Sequence, residues 1–364
     1  MRFMGIGLFD STTALEPLRP RIDEAIAGVV DSGAFILGPN VEAFEAEFAT
    51  AVGSPHAVGV ANGTEAITIA LRALGVGPGD EVIVPSFTYF ASAEAIPALG
   101  AVPVFCDIDP ESFVSTAEHV RAAMTPKTRA VVAVHLFGNV APVREIEALG
   151  VPVVEDTAQA SGSAGPDGRP GSLGTIATHS FYPSKNLGAF GDGGAITTAD
   201  SGLAERVRML RFHGSRDKVT YEEAAYNSRL DEIQAAVLRV LLPELPDWAA
   251  HRTAAGARYA AALDGVAGLP QATAGATPAW HLYVIRTAEP DALAAGLAER
   301  DIEARGYYRT PVNRQPAMAC WHGADAVLPG TEEAARTHLA IPVSATITDA
   351  QVDEVAAAVQ ELLA

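Results

Sequence analysis

The sequence predicts an α/β fold with a mainly parallel sheet, followed by a smaller C-terminal α+β domain. Over roughly the first 200 residues, short runs rich in Val and Ile alternate with Ala-, Leu- and Glu-rich helical stretches. This alternation is the pattern of repeated strand and crossover-helix units. Several runs are apolar at consecutive positions, as expected for a sheet that is covered on both faces.

Seven short apolar runs are predicted to form the sheet. They are 56–60, 81–85, 102–107, 130–136, 151–155, 179–181 and 194–197. Between the first two, residues 64–74 have the apolar spacing of a helix. Asn62, three residues before Glu65, predicts a capping box at the start of that helix.

The character of the sequence changes near residue 245. Residues 232–242 have a long helical pattern, which Pro243 and Pro246 interrupt before an alanine-rich helical stretch at 248–263. A strand at 282–286 and a helix at 292–299 are expected further along. The predicted domains are therefore 1–245, which binds the cofactor, and 246–364.

Charge and composition exclude several classes of protein. The net charge of −19 argues against a nucleic-acid-binding protein, because phosphate binding needs a basic face. Only two cysteines occur, far apart, and the histidines lack metal-ligand spacing, so neither a disulfide framework nor a metal site is predicted. No apolar run is long enough to span a membrane, and residues 1–10 do not have the pattern of a signal peptide. We therefore expect a cytoplasmic protein without membrane contact.

Lys185 has the most informative surroundings of any lysine. The chain contains three lysines, and this one follows a predicted strand within Ser180-Phe-Tyr-Pro-Ser-Lys185-Asn-Leu-Gly. Desolvation lowers the proton affinity of a lysine, and the neutral amine is then a nucleophile toward carbonyl groups. An ordinary surface lysine in a glycine-rich turn explains the same local sequence equally well.

Two further strand ends offer what a lysine-bound pyridoxal phosphate would need. Asp156 ends an apolar strand, where open α/β sheets present ligand groups, and its carboxylate would pair with a protonated pyridine nitrogen. A helix N-cap explains Asp156 as well. Gly63 and Thr64 begin a helix whose free N–H groups would bind a phosphate, although many helix starts share this pattern.

The chain resembles the DegT/DnrJ/EryC1/StrS sugar aminotransferases, which are fold-type I enzymes dependent on pyridoxal 5'-phosphate. The matching segments occur in the same order along nearly the whole chain. They are SGAFILGP at 32–39, GPGDEVIVP at 77–85, VHLFG at 134–138, EDTAQ at 155–159, SFYPSK at 180–185 and YNSRLD at 226–231. The resemblance implies a fold-type I large domain with a seven-stranded sheet.

The resemblance also implies a role for each matched residue. Lys185 would form the Schiff base with the cofactor and then move a proton, and Asp156 would face the pyridine nitrogen. The phosphate would be bound by Gly63, Thr64 and Ser180.

Three more positions follow from the same resemblance. Tyr89 would stack on the cofactor ring, and Gln159 would contact its hydroxyl side. Asn227 matches an asparagine that reaches the phosphate from the partner subunit. We therefore expect a homodimer with composite active sites.

The implied reaction transfers an amino group, from an amino acid such as glutamate, to a nucleotide-linked ketosugar. Tyr307-Tyr-Arg-Thr-Pro311 replaces the His-Tyr-Pro form that is associated with many 3-keto-sugar enzymes. This departure favours a 4-keto-6-deoxyhexose, with a 3-keto sugar or a cyclitol ketone as the alternative. The candidate substrate-binding residues are Arg229, Tyr308 and Arg309.

Two other kinds of protein compete with this hypothesis. A non-catalytic nucleotide-binding or regulatory protein on the same fold is one, because fold alone does not determine function. The presence of Lys185, Asp156 and Ser180 together speaks against it. A nicotinamide-linked oxidoreductase ranks last, because no glycine fingerprint with a following acidic residue comes after the first strand.

Overall fold

The computed structural model describes residues 5–10, 12–321 and 323–364. The expectation for residues 1–10 therefore rests in part on positions outside the described residues. Within the described ranges, no helix combines the length and apolar character needed to cross a membrane.

Seven strands form one large sheet. They are β1 (His56–Val60), β2 (Glu81–Pro85), β3 (Val102–Cys106), β4 (Thr128–Val134), β5 (Val153–Asp156), β6 (Ile176–Ser180) and β7 (Gly194–Thr198). Their order across the sheet is β1-β7-β6-β5-β4-β2-β3. β7 runs antiparallel to both of its neighbours, and the other pairings are parallel. The prediction of a mainly parallel seven-stranded sheet is confirmed.

Helices cover the large sheet and continue into the C-terminal part. They are α1 (Arg19–Ser32), α2 (Pro39–Val52), α3 (Gly63–Ala73), α4 (Ala91–Glu94), α5 (Ala117–Ala123), α6 (Val143–Glu147), α7 (Ser201–Leu210), α8 (Glu232–Leu241), α9 (Leu245–Leu263), α10 (Pro290–Ala298), α11 (Pro329–Thr337) and α12 (Asp349–Leu363). Short 3-10 helices lie at Thr13–Leu18, Pro97–Leu99, Leu136–Gly138, Leu242–Glu244, Val312–Arg314 and Pro316–Met318.

The C-terminal part has a second, two-stranded sheet. β8 (Tyr283–Arg286) pairs antiparallel with β9 (His338–Ile341), and α9, α10 and α12 pack around them. Tyr259, Leu297 and Val355 are fully buried in the apolar core that these elements share. The domain boundary near residue 245 stays a prediction, and α9 begins at Leu245.

The start of α3 follows the predicted capping pattern in part. The Asn62 side chain accepts the Glu65 backbone N–H at 2.9 Å, which satisfies one of the donors that a helix start leaves without a partner. Within the described chain, the return bond from the Glu65 carboxylate is missing, and its Oε2 is buried without a partner. The helix therefore begins where expected, with half of the capping box.

β6 differs from its prediction at 179–181. It begins three residues earlier, because the polar side chains within it find hydrogen-bond partners inside the sheet region. Thr178 donates to the Glu155 carbonyl at 3.0 Å, and the His179 ring lies between the hydroxyls of Thr157 and Thr197. Buried polar groups that are hydrogen-bonded do not interrupt a strand.

Candidate active site

The carboxyl ends of the parallel strands meet at one edge of the sheet. β1 leads into Asn62 and Gly63, β5 ends at Asp156, and β6 ends at Ser180. Because β7 is antiparallel, its first residue, Gly194, also lies at this edge, paired with Ser180. This edge is where an open α/β sheet binds its ligands.

A cavity of about 940 Å³ opens at this edge. Its lining includes nine of the eleven residues that were predicted as site residues. They are Gly63, Thr64, Tyr89, Asp156, Gln159, Ser180, Lys185, Tyr308 and Arg309. The tertiary structure thus brings together residues from five separated stretches of the chain.

Lys185 enters the cavity from the turn after β6. Its backbone N–H donates to the Tyr182 carbonyl at 2.8 Å, which closes the turn. Burial lowers the pKa of the Lys185 ammonium to about 8 from its usual 10.5, although the nearby charge of Asp156 acts in the opposite direction. A substantial fraction of the amine is therefore neutral near physiological pH, as a nucleophile requires.

Asp156 is held by two donors inside the protein. Only 6% of its surface is exposed. Ser92 Oγ donates to Oδ2 at 2.7 Å, and the Ala158 backbone N–H donates to Oδ1 at 3.1 Å. The carboxylate is oriented before any ligand arrives.

The start of α3 forms a cradle of the kind that accepts a phosphate. A Cβ on Gly63 would lie 2.8 Å from the Cβ of Ser180, so only glycine permits this approach. The first N–H groups of a helix have no acceptor within the helix, and the helix dipole favours an anion there. The hydroxyls of Thr64 and Ser180 line the same cavity.

Gln159 and Tyr308 are joined at the other side of the cavity. The Phe137 backbone N–H donates to Gln159 Oε1 at 2.8 Å, so the amide group presents its N–H donors elsewhere. One of them donates to Tyr308 Oη at 3.0 Å. The Tyr308 ring stacks on Phe137, and its centroid lies 6.3 Å from that of Tyr89. The rings of Tyr89 and Tyr308 and the amide group of Gln159 therefore line this side of the cavity.

Tyr308 has an unusual backbone conformation. Its φ of 63° lies in the left-handed region, which a bulky residue rarely adopts. Such strain persists only where the surrounding structure holds it, and it is common at ligand sites.

Arg309 lines the cavity, but its guanidinium is engaged elsewhere. Nη1 donates to the carbonyls of Ala335 and His338, and Nη2 pairs with Asp291 at 2.9 Å. The Arg309 guanidinium therefore links the segment that follows α10 to α10 itself, to α11 and to the first residue of β9.

Arg229 and Asn227 lie outside the cavity of their own chain. The Arg229 guanidinium sits 5.5 Å above the Phe212 ring. Asn227 is exposed and forms a backbone bridge with Phe212. Neither residue can contribute to the cavity of its own chain in this arrangement.

The sequence analysis missed two features of the site. Thr88 and Ser92 form a hydrogen-bonded pair next to Asp156. His281 lines the cavity almost fully buried, and burial, together with the charges of Lys185 and Arg252, lowers its pKa well below 6.5. No local sequence signal identifies these residues, because each is brought to the site by a distant part of the chain.

A buried pair beneath the site supports β5. The Ala141 N–H donates to His135 Nδ1, so Nε2 carries the hydrogen and donates to Glu155 Oε2 at 2.9 Å. Burial alone would raise the pKa of Glu155, but His135 and backbone N–H donors outweigh it, and the pKa is lowered. Glu155 precedes Asp156 directly and fixes the end of the strand.

Glu155→Gln is expected to lower the free energy of unfolding by ~3 kcal/mol. Each Glu155 oxygen accepts two hydrogen bonds, from His135 and Gly171 on Oε2 and from Leu173 and Gly174 on Oε1. An amide must turn its NH₂ toward two of these donors. Urea unfolding at neutral pH measures the loss.

The pH dependence gives a check on this prediction. Because the folded-state pKa of Glu155 is lowered, its ionisation stabilises the protein above the usual pKa of 4.5, and this stabilisation is lost as pH falls below that value. The difference between wild type and Glu155→Gln should shrink in the same window. Glu47→Gln, which removes an exposed ion pair with Arg239, is the control and should cost less than about 1 kcal/mol. Equal losses in both variants would contradict the prediction.

Residues 17–360 match the profile of the DegT/DnrJ/EryC1/StrS aminotransferase family. The chain belongs to this family. It is 45% identical to the dTDP-3-amino-3,4,6-trideoxy-alpha-D-glucose transaminase of Streptomyces venezuelae, over 98% of this chain and 96% of that protein. It is 42% identical to a protein of Geobacillus stearothermophilus named pleiotropic regulatory protein, over 96% of both.

A solved structure agrees with this assignment to the DegT/DnrJ/EryC1/StrS family. The crystal structure of S. venezuelae DesV in complex with a ketimine intermediate has a TM-score of 0.95 and 44% sequence identity, with 98% of each chain covered. The predictions of the family, of the fold-type I architecture and of a pyridoxal-phosphate-dependent aminotransferase are confirmed.

Proposed function

We propose that this aminotransferase aminates carbon 3 of a nucleotide-linked keto-deoxysugar, with an amino acid such as glutamate as the donor. The observation that carries the transamination is the cavity of about 940 Å³ that Lys185 and Asp156 line together. A lysine amine and a fixed carboxylate are the two protein groups that transamination on pyridoxal phosphate requires.

The residues of the cavity fit pyridoxal phosphate. When bound, this cofactor supplies an aldehyde that receives the amino group and a ring that accepts electron density. The start of α3 would hold its phosphate, with Gly63, Thr64 and Ser180, and Asp156 would stabilise a protonated ring nitrogen. Tyr89 would stack on the face of the cofactor ring, and Gln159 would contact its hydroxyl group.

Lys185 is suited to two tasks. As a neutral amine it is a nucleophile toward the aldehyde. Once released, it would take up and return a proton, and a pKa of about 8 lets Nζ do both near neutral pH. Burial provides this property, because an exposed lysine stays protonated.

Carbon 3 is supported by the name of the Streptomyces venezuelae relative, because the sugar in that name carries its amino group at position 3. The 4-keto-6-deoxyhexose favoured by residues 307–311 has no such support. In this segment Tyr308 contacts Gln159 from inside the cavity, whereas Arg309 is paired with Asp291. A 3-keto sugar is therefore the better-supported substrate.

The test is a product analysis with isomeric substrates. The purified enzyme loaded with pyridoxal phosphate is incubated with glutamate and with 3-keto or 4-keto deoxyhexoses on dTDP and UDP, and the products are identified by mass and NMR. Faster conversion of 3-keto isomers supports the proposal, because turning the hexose by one carbon misplaces its hydroxyls in the pocket. Preference for a 4-keto isomer or a free cyclitol ketone would overturn the choice of carbon. No turnover of any ketosugar would favour the regulatory alternative.

We also propose that two copies of the chain share each active site. Four large apolar side chains are exposed on segments near the cavity or the start of α8, namely Phe35, Ile36, Tyr182 and Phe190. Backbone groups of Phe35 and Phe190 bond to α8 residues Glu232 and Gln234, which places both at this helix start. Asn227 precedes the same helix and lies outside the cavity of its own chain. A second copy would cover these exposed side chains and bring Asn227 to the neighbouring cavity.

Mixing two inactive variants tests this arrangement. Lys185→Ala and Asn227→Ala are each expected to have little activity. In a mixed dimer, one of the two sites would contain both Lys185 and the partner's Asn227. Random exchange should then restore about a quarter of the wild-type activity. No recovery, or a monomer by sedimentation at assay concentration, would contradict the composite site.

The rate of cofactor uptake should report the lowered pKa of Lys185. Only the neutral amine attacks the aldehyde, so the rate should rise as pH increases through about 8 and then level off. Stopped-flow absorbance of the apo-enzyme mixed with pyridoxal phosphate measures the profile. A rate that still climbed near the usual pKa of 10.5 would contradict the prediction.

A further inference from the structure

A chain of hydroxyl groups leads to Asp156. Ser92 Oγ lies 2.7 Å from Asp156 Oδ2, and Thr88 Oγ1 lies 3.0 Å from Ser92 Oγ. An ionised carboxylate only accepts hydrogen bonds, so Ser92 uses its one hydrogen on Asp156. Thr88 must therefore donate to Ser92. The two hydroxyls are aligned in one direction, from Thr88 through Ser92 to the carboxylate.

Both hydroxyls are buried, with 1% of each residue exposed. In such surroundings aligned hydrogen bonds polarise one another and are stronger than in water. A buried carboxylate that loses a donor bears the cost of desolvation, so it turns toward another partner. Lys185 is a charged group that interacts with Asp156.

We propose that Thr88 and Ser92 are positioning residues that hold the Asp156 carboxylate toward the ring nitrogen of the cofactor. This inference rests on the proposed role of Asp156. Ser92 occupies Oδ2 and the Ala158 N–H occupies Oδ1, so the plane of the carboxylate is set while unused lone pairs remain for the ring. Binding then requires no reorientation of the carboxylate, which is the benefit of preorganisation.

The same segment carries Tyr89. Thr88 and Ser92 flank it, and the Ser92 backbone N–H donates to the Tyr89 carbonyl at 3.2 Å. The segment from the end of β2 into α4 therefore positions the aromatic ring and orients the carboxylate together. Replacing the Ser92 side chain therefore changes the orientation of the Asp156 carboxylate and leaves the Tyr89 ring in place.

The test compares pyridoxal phosphate with its 1-deaza analogue, in which a C–H replaces the ring nitrogen. The dissociation constants of both are measured for wild type, Ser92→Ala and Thr88→Val. Ser92→Ala should weaken binding of pyridoxal phosphate about tenfold and Thr88→Val about threefold, since hydrogen bonds to charged groups are the stronger class. Binding of the analogue should change little, because it makes no demand on the carboxylate.

Ser86→Ala is the matched control. Ser86 lies in the same segment and is fully buried, but its hydroxyl donates to Asn313 Oδ1 at 2.6 Å rather than to Asp156. It should affect both ligands equally. Thr88→Ser, which restores the hydroxyl, should recover the wild-type preference. Melting temperatures of the apo-proteins separate folding damage from these effects, and Thr88→Val keeps the test valid if Ser92→Ala does not fold.

The outcomes separate the hydroxyl relay, which is the aligned pair of hydrogen bonds from Thr88 through Ser92 to Asp156, from the proposed role of Asp156 on which it rests. If wild type prefers pyridoxal phosphate over the analogue and Ser92→Ala keeps the same preference, the relay is wrong while Asp156 keeps its role. If Ser92→Ala weakens both ligands to the same extent, the hydroxyls are merely structural. If wild type shows no preference at all, the role of Asp156 fails and the relay fails with it.

Discussion

Lys185→Ala is expected to abolish turnover, with a loss of about a thousandfold or more, and to remove the covalent attachment of the cofactor. This residue supplies both the nucleophile and the proton carrier, and no other described cavity-lining residue is a lysine. Visible absorbance after addition of pyridoxal phosphate and mass analysis after borohydride reduction measure the attachment. A steady-state assay measures the rate.

The other two lysines provide the control. Lys127 and Lys218 lie outside the cavity, so Lys127→Ala and Lys218→Ala should keep the covalent attachment. A borohydride-reducible bond that survived in Lys185→Ala would show that another residue holds the cofactor. The family assignment would stand, but the site would be wrong.

Asp156→Asn is expected to lower the rate by about a hundredfold or more while the fold is retained. Asparagine keeps the shape of the side chain but removes the charge that stabilises a protonated ring nitrogen. Its amide NH₂ would also face either the Ser92 hydroxyl or the Ala158 N–H, each of which now donates to Asp156. Steady-state kinetics and circular dichroism of the same samples measure the two effects.

Asp80→Asn makes the same charge change in the turn before β2, where the side chain accepts the Gly77 N–H away from the cavity. It should leave kcat unchanged. Near-normal turnover in Asp156→Asn would count against an ion pair between Asp156 and the cofactor ring. The proposed positioning role of Ser92 would then fail as well, because it depends on that ion pair.

The strands of the large sheet were largely predictable, because buried parallel strands have short, continuous apolar runs. β1 and β2 were predicted at the residues where they occur, and β7 to within one residue. The start of β6 was predicted three residues too late, because Thr178 looks unsuited to a buried strand until its hydrogen-bond partner is known. The antiparallel direction of β7 also depends on its two neighbours, and local sequence does not record direction.

Some residues of the candidate site were also predictable from local sequence, and others were not. Lys185, Asp156 and Gly63 lie next to strand ends, so local sequence singled them out. Thr88 lies in the loop after β2 and Ser92 lies in the short helix α4. Neither has a local signal, because Ser92 and Asp156 are 64 positions apart in the sequence. The cytoplasmic location and the domain boundary near residue 245 stay predictions.

By itself, the sequence determined the α/β class, the strand ends that present polar groups and the lysine that sits after β6. These follow from local periodicity and from residue chemistry, which a linear chain carries directly. Only the tertiary structure decided that Lys185 is desolvated, that the Arg309 guanidinium is committed to Asp291, and that the Asp156 carboxylate has its own hydroxyl donors. Burial and hydrogen-bond direction depend on neighbours that are distant in sequence, and these neighbours are defined only when the strands have assembled into the sheet.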